Sequence, residues 1–546
     1  MFAGDLIDDL AWLPGQFHGG ELAGLGIREA LLRSHEVLGL AVEVPTMFPA
    51  ILRHTLLPVV VAALGSPATR EEWAQRFRRG QFDTNERDRL NAYLDEYRGR
   101  FDLFGVLRPF AQVAGLCTAK DETKGSALLV TTAASGNNVP IFAGRTEGDP
   151  LPLTPPQSAR WLVHAQCWDT AAIKTGVVGD SKAKSGKTVG NPVSPLGQLG
   201  VLMPIGRTLY ETLLLNIPIG AQDRLGTPQW LQDPATSEWR VRAPDGLLDL
   251  WTWQSRRIRL FPESSGDSVV VTRVIVAAGD RLSGGAPGWE PHTAWRFDKP
   301  VKGSKVEPPL RPLRHTPGKA IWRGMHALLA LEATSSATFQ TSDLVNQLAE
   351  LESEGAFENS YPLRVETFGM VYGTQSAVVE DLLHDAMPLP VAALRANESA
   401  YALVLEATEQ AEKLAAALNN LSADLRRAIG AEPIPWDKGQ RPGEQLLYAL
   451  DPLVRRLLAG LAVAADDPEL LDRGQLAWEQ LAHRAVWQSA DPLFAVPATA
   501  FLGRTVTVGK KDRHYRLGLA ANDFRYQIDT ILPRAAAARS SKTRGA

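Results

Sequence analysis

Two regimes of hydrophobic patterning divide the chain. Over residues 391–429, Leu394, Tyr401, Leu405, Leu414, Leu418, Leu421, Leu425 and Ile429 recur largely at steps of three or four. That spacing lines one face of a helix, and the alanine-rich filler favours it. The same pattern predicts helices over 444–465, over 467–487 and over 520–532, the last stopped by Pro533. Asp467-Pro468 supplies an N-cap followed by proline at the first helical position. Four amphipathic helices in series predict a four-helix bundle over residues 388–546 with a basic C-terminal tail. Before Pro388-Leu-Pro390 the pattern is mixed. Helical periodicity at 27–33 and 70–97, and around Ser158 to Cys167, alternates with β-branched runs such as Val269-Val-Val-Thr-Arg-Val-Ile-Val276. Long polar or Gly/Pro-rich stretches at 143–157, 174–200, 279–292 and 298–320 interrupt it, and loops of that length usually bind something or stay disordered. The fold class expected is α+β: a mixed α/β N-terminal domain with long loops over 1–387, then the bundle.

Composition narrows the class. With 546 residues and 45% hydrophobic positions, a sizeable core forms without disulfides or metals. Two cysteines, Cys117 and Cys167, exclude a disulfide scaffold and a four-cysteine zinc site. The acidic start, Met1-Phe-Ala-Gly-Asp, differs from a signal peptide. The longest apolar run, Leu56 to Leu64, is broken by Pro58 and is shorter than the ~20 residues of a membrane span. A soluble, cytoplasmic protein with no membrane partner, no cofactor and no metal is expected.

Charge changes this picture locally. The net charge of −3 argues against a nucleic-acid partner, yet the cations are clustered. Eight basic residues lie between Arg296 and Arg323, Lys299, Lys302 and Lys305 among them, against Asp298 and Glu307. Prolines and glycines are interleaved, so the segment reads as extended. Lys174, Lys182, Lys184 and Lys187 form a second patch, Arg504 through Arg516 a third, and Arg534, Arg539, Lys542 and Arg544 a cationic tail. Flexible cationic loops suit phosphate backbones, whereas any single charge run is also an ordinary solvated loop.

Catalytic signatures are sparse. Ser181-Lys-Ala-Lys-Ser-Gly186-Lys187-Thr188 approaches a phosphate-binding P-loop, but serine stands at the first glycine and Val189-Gly-Asn-Pro follows where a helix should start. A nucleotide-binding hydrolase using 181–188 remains the alternative reading. His164 and Cys167 share a helix face without a third group to orient them. No His-Glu-x-x-His or Gly-x-Ser-x-Gly occurs. The residues alone describe a multi-loop binding protein rather than an enzyme.

Several long strings carry more information. Leu25-Gly-Ile-Arg-Glu-Ala-Leu-Leu-Arg-Ser-His-Glu36, Arg100-Phe-Asp-Leu-Phe104, Arg108-Pro-Phe-Ala-Gln-Val113, Thr208-Leu-Tyr-Glu-Thr-Leu-Leu-Leu-Asn216, Asp249-Leu-Trp-Thr-Trp-Gln-Ser-Arg-Arg-Ile-Arg-Leu260 and Trp289-Glu-Pro-His-Thr-Ala-Trp295 occur in this order. Together they resemble the CasA family, the large subunits of the type I-E CRISPR surveillance complex Cascade. The resemblance implies a non-catalytic subunit that reads the protospacer-adjacent motif (PAM) of double-stranded target DNA from the minor groove. It implies that the subunit wedges the duplex open for R-loop formation and recruits a helicase-nuclease. The implied partners are other Cascade subunits, the guide CRISPR RNA, the target duplex and that effector.

Residue by residue, Tyr372-Gly-Thr374-Gln375-Ser is similar to the family's wedge hairpin, with Gln375 as the wedge. A flat amide can stack on a broken base step and replace its hydrogen bonds. Arg281 matches a basic residue that enters the minor groove. Ile173-Lys174-Thr-Gly176 resembles the string after the family's PAM-reading glycine loop, whose glycines are replaced here by Thr170, Ala171 and Ala172. Lys182, Lys184 and Lys187 then fall in an expansion of that loop. Asn137-Asn138-Val-Pro-Ile-Phe142 is similar to a loop placed near the guide RNA and the motif.

Overall fold

The computed structural model describes residues 2, 4–133, 149–298, 310–334, 338–435, 440–464, 467–508 and 511–544. Asn137, Asn138, Phe142, Lys299, Lys302 and Lys305 lie outside the described residues. The chain forms two compact units: one of residues 1–319, 330–351 and 363–386, the other of 320–329, 352–362 and 387–546.

The first unit opens with a small antiparallel sheet, β1 (Leu13–Gln16), β2 (Leu22–Leu25) and β3 (Gly39–Leu40), in the order β2-β1-β3. Helix α1 (Met47–Leu64) is by length and composition apolar enough to cross a membrane, and it is instead 83% buried inside the unit. Pro58 cannot donate to the carbonyl of His54. The helix widens to a π-turn over Leu52–Leu56, closed by the Leu57 amide on the Leu52 carbonyl. That turn carries the buried Arg53, whose Nη1 donates to Glu290 Oε1 at 2.6 Å. Arg53 outweighs the burial that would raise the Glu290 carboxyl, and holds it at about 2.

Helix α2 (Pro155–Trp168) begins with a reciprocal cap between Thr154 and Gln157. The polar stretch 174–200 is not a structureless loop. It contains β4 (Lys174–Thr175) and β5 (Lys187–Thr188), which pair antiparallel, and leads into β6 (Val201–Ile205). The short strand β7 (Val241–Arg242) precedes the long hairpin of β8 (Arg256–Ser265) and β9 (Ser268–Ala278). β9 runs parallel to β4 with Ala277 opposite Thr175. It is followed by β10 (Arg281–Leu282), parallel to β7. Strands β11 (Arg364–Tyr372) and β12 (Val379–Pro388) form a three-stranded sheet with β6 in the order β12-β11-β6. The helical pattern at 70–97 resolves into two helices, Arg70–Arg79 and Thr84–Glu96, because Gly80 takes a left-handed φ of 73°.

The second unit is built on α3 (Ser399–Ala428), α4 (Pro442–Ala464), α5 (Pro468–Ala490) and, later in the chain, α6 (Leu517–Ile531). Leu414, Leu418, Leu421 and Leu425 of α3 are buried, as the spacing predicts. Asp467 caps α5 through the amides of Glu469 and Leu470. Two features depart from the expected loop and tail. The basic run after Arg504 folds as an antiparallel hairpin, β13 (Arg504–Val508) and β14 (Lys511–Tyr515). The cationic tail is helical over Pro533–Arg544, with Arg534 paired to Asp472 and Arg539 to Asp529. The end of the basic 296–323 run also departs from an extended course: Ile321–Gly324 is a 3-10 turn, and Arg323 Nε pairs with Glu412 at 2.6 Å.

Candidate nucleic-acid interface

Three segments, from two stretches far apart in the chain, 169–191 and 372–378, come together in the first unit. The first is the tip between β11 and β12. Gly373 and Val378 close it by an amide–carbonyl hydrogen bond of 2.9 Å, and Ser376 donates to the Gly373 carbonyl at 2.8 Å. To turn this tightly, Gln375 and Ser376 adopt left-handed φ values of 56° and 55°, a conformation that costs a non-glycine residue about 1–2 kcal/mol. Thr374 and Gln375 are exposed at the apex. The base of the hairpin is fixed, since the Tyr372 hydroxyl donates to the Trp168 carbonyl at 2.6 Å. Burial raises that phenol's pKa.

The second segment is the turn after α2. The Ala171 amide donates to the Ser376 carbonyl at 2.8 Å, which ties this turn directly to the hairpin tip. Thr170, Ala171 and Ala172 are absent from the left-handed residues, so the glycines of the family loop are not needed for this backbone. Ile173 beside them is exposed.

Lys174 is placed differently from a free phosphate-binding lysine. It is buried, with Nζ 2.5 Å from Asp169 Oδ2. Burial, helped by Arg256 and opposed by Asp169, brings its ammonium down to about 8. Burial would raise the Asp169 carboxyl, but Lys174 and Arg256 outweigh it and hold it below its ordinary value. Arg256 also donates to the carbonyls of Thr170 and Pro192, each at 2.8 Å. Lys174 and Arg256 therefore brace the turn from behind.

The third segment holds the lysines. Lys184 and Lys187 exchange backbone hydrogen bonds of 2.9 and 3.1 Å across Ser185 and Gly186. Both central residues have positive φ, 51° and 72°, the signature of a type I′ hairpin turn. Lys187 and Thr188 are thus strand residues, and the Thr188 hydroxyl donates to Asp180 at 2.7 Å. In a P-loop the Lys-Thr pair opens a helix whose amides cradle phosphate. The 181–188 segment does not have that geometry, which corrects the nucleotide-hydrolase alternative. Lys184 and Lys187 are exposed at the turn. Lys182 is engaged: its Nζ donates to the Trp239 carbonyl at 2.7 Å and lies 3.7 Å from the ring centroid.

Arg281 lies over the same Trp239 ring, also at 3.7 Å, and donates to the Val189 carbonyl at 3.0 Å and Asn191 Oδ1 at 3.2 Å. Its guanidinium thus clamps the loop that leaves β5. Desolvation, with Arg256 nearby, lowers its pKa. Trp239, Asp169 and Arg256 position this edge and were not singled out from sequence. The doublet Arg256-Arg257 inside an apolar strand run was the available signal, because a buried cation requires an acid. Among the described residues no cluster of three or more His, Cys, Asp or Glu could hold a metal. His164 and Cys167 are both buried; burial lowers the imidazole to about 3 and raises the thiol to about 12.

Residues 5–489 match the family model for CRISPR-associated protein Cse1. The chain belongs to the Cse1 (CasA) family. A CasA/Cse1 protein of Thermus thermophilus is 31% identical over 443 residues, covering 78% of this chain and 79% of that protein. The crystal structure of Thermobifida fusca Cse1 superposes with a TM-score of 0.80 at 32% identity, covering 98% of this chain and 99% of that one. Acidimicrobium ferrooxidans Cse1 does so with a TM-score of 0.80 at 28% identity and the same coverage. A chain of a CRISPR RNA-guided surveillance complex shares the fold, with a TM-score of 0.66 at 19% identity over 90% of this chain and all of that one. These Cse1 structures agree with the α+β class.

Proposed function

We propose that this Cse1-family chain is the motif-reading large subunit of a type I-E Cascade. In this reading it assembles with the other subunits and the guide RNA and recognises the PAM in duplex DNA. Gln375 then opens the first base step, and the chain helps to recruit a helicase-nuclease while performing no chemistry itself. The observation that carries the reading is the Ala171–Ser376 hydrogen bond. It makes the motif-facing turn and the wedge tip one unit, so that binding at one positions the other. Thr374 and Gln375 are exposed while Tyr372 is anchored, as a wedge on a rigid base requires. Lys184 and Lys187 supply phosphate contacts; Lys174 and Arg281 act by holding the turn and the loop in place. Asn137, Asn138 and Phe142 are assigned to the guide-side loop on the family resemblance, and Lys299, Lys302 and Lys305 to backbone contacts on the clustering of their charge.

The test is a reconstituted complex with a 2-aminopurine reporter at the first base pair beyond the motif. Gln375→Ala is expected to reduce the opening signal at least tenfold while motif-dependent duplex binding falls less. Equal opening by the variant and the parent overturns the wedge assignment.

A further inference from the structure

A second cleft in the first unit lies among residues that the motif-reading function leaves unused. Its cations come from two strings noted in the sequence, Arg100-Phe-Asp-Leu-Phe104 and Arg108-Pro-Phe-Ala-Gln-Val113. Folding brings them together because the loop between them is closed from inside. The Phe101 and Phe110 rings stack at 5.5 Å, the Phe110 amide donates to the Asp102 carbonyl at 2.8 Å, and Phe101 packs on Trp230 at 5.0 Å. Trp230 is itself pinned by its Nε1–H on the Tyr93 hydroxyl at 2.7 Å.

The resulting cleft of about 400 Å³ is lined by Arg100, Arg108, Leu107, Val178 and Trp230, among others, and no Asp or Glu is among its lining residues. The Arg100 guanidinium has no hydrogen bond or ion pair with any described residue. Arg108 donates to the Gln232 carbonyl. Burial and the neighbouring Arg100 lower the Arg108 pKa, and Asp233 only partly offsets them. Two like charges are thus held in a half-enclosed space without an acid lining it.

The rim is apolar. Leu107 is 82% exposed, its neighbour Val106 71% and Val178 55%. Aliphatic side chains this exposed beside a cationic cleft suit a ligand that carries both carboxylate and apolar groups. A phosphate backbone gains nothing from covering leucine and valine, so the surface favours protein over nucleic acid.

We propose that this cleft docks an acidic segment of a partner protein, with a carboxylate on Arg100 and Arg108 and an apolar side chain on Leu107 and Val178. A bidentate Arg–carboxylate pair sets the register, and the aliphatic contact excludes water from it.

The test places a photo-crosslinking p-benzoylphenylalanine at position 107 in the reconstituted complex. The expected adduct is a protein peptide with Asp or Glu beside the crosslinked residue, reduced at least tenfold by Arg100→Glu with Arg108→Glu. Because that double variant could disturb the loop, a fluorescein-labelled peptide Asp-Leu-Glu-Phe-Asp is also titrated against the unmodified chain. Saturable binding at least tenfold tighter than that of Lys-Leu-Lys-Phe-Lys supports the proposal. A nucleic-acid adduct, no adduct, an adduct insensitive to charge reversal, or equal binding of the two peptides each overturn it. Gln375→Ala is expected to leave the adduct unchanged, so failure here is distinct from failure of motif reading.

Discussion

Gln375 combines an exposed amide with a left-handed backbone, and the two are connected. An L-residue pays for φ of 56°, and asparagine or glycine would serve a plain turn better. A longer amide held there at some cost fits the proposed wedge, which needs a side chain of that reach. Being exposed, it contributes little to stability: Gln375→Ala is expected to shift the melting temperature by no more than about 2 °C, since surface changes usually stay within ±0.5 kcal/mol. Loss of strand opening in that variant would then be functional.

The buried histidines make a separate statement at the same scale. His54 lies inside α1 with its ring edge-on to Phe110 at 6.2 Å, and burial, helped by Arg53, lowers it to about 4. The unfolded chain therefore binds the proton first. Stability is intact above pH 6.5 and is lost as pH falls from 6.5 towards 4. At pH 5 this amounts to about 2 kcal/mol for His54, and His164, at about 3, acts in the same direction. His54→Leu is expected to remove about 2 kcal/mol of the stability difference between pH 7 and pH 5 in urea unfolding. An unchanged difference would mean that His54 is not desolvated as the structure describes.

Elements differ in how far the sequence exposes them. The long helices of the second unit were legible, because a 3.6-residue period over twenty or more positions and the cap at Asp467-Pro468 agree. The β13–β14 hairpin was not, although Arg504-Thr-Val-Thr-Val508 alternates as a strand should, because so short a run among cations is equally the pattern of a solvated loop. The β4–β5 pair was hidden by glycines and lysines that read as a loop. Its contacts need partners from elsewhere, including β9 and the Trp239 ring, which local patterning cannot reveal.

That pair also depends on one close approach. The Gly176 amide donates to the Gly186 carbonyl at 2.8 Å, and a Cβ on Gly176 would lie 2.7 Å from the Gly186 carbonyl carbon. Gly176→Ala is expected to destabilise the 174–188 segment by about 1–3 kcal/mol. Hydrogen exchange would read this as faster exchange at the amides of Gly176 and Lys187, with α3 to α5 unchanged. Motif-dependent affinity should fall with it.

At the scale of the molecule, the net charge of −3 hides where cations are free and where they are spent. Family resemblance and charge clustering nominate candidate interface residues, and the fold shows which of them are engaged within the chain. Lys174 is buried against Asp169, Lys182 and Arg281 are stacked on Trp239, and Arg323, Arg534 and Arg539 are paired. Lys184 and Lys187 remain exposed at the turn. Each phosphate neutralised on duplex DNA contributes roughly 0.9 to the slope of log K against log salt. Lys184→Ala with Lys187→Ala should therefore lower that slope by about 2 and weaken binding equally for all motif variants. Adding Lys182→Ala should change the slope little further and instead alter motif preference, because the loop that Arg281 clamps loses its neighbour on the ring. Titration of duplexes carrying different motifs between low and physiological salt separates the two effects: a further slope change of about 1 on adding Lys182→Ala, about 3 in total, would mean that all three lysines face phosphate.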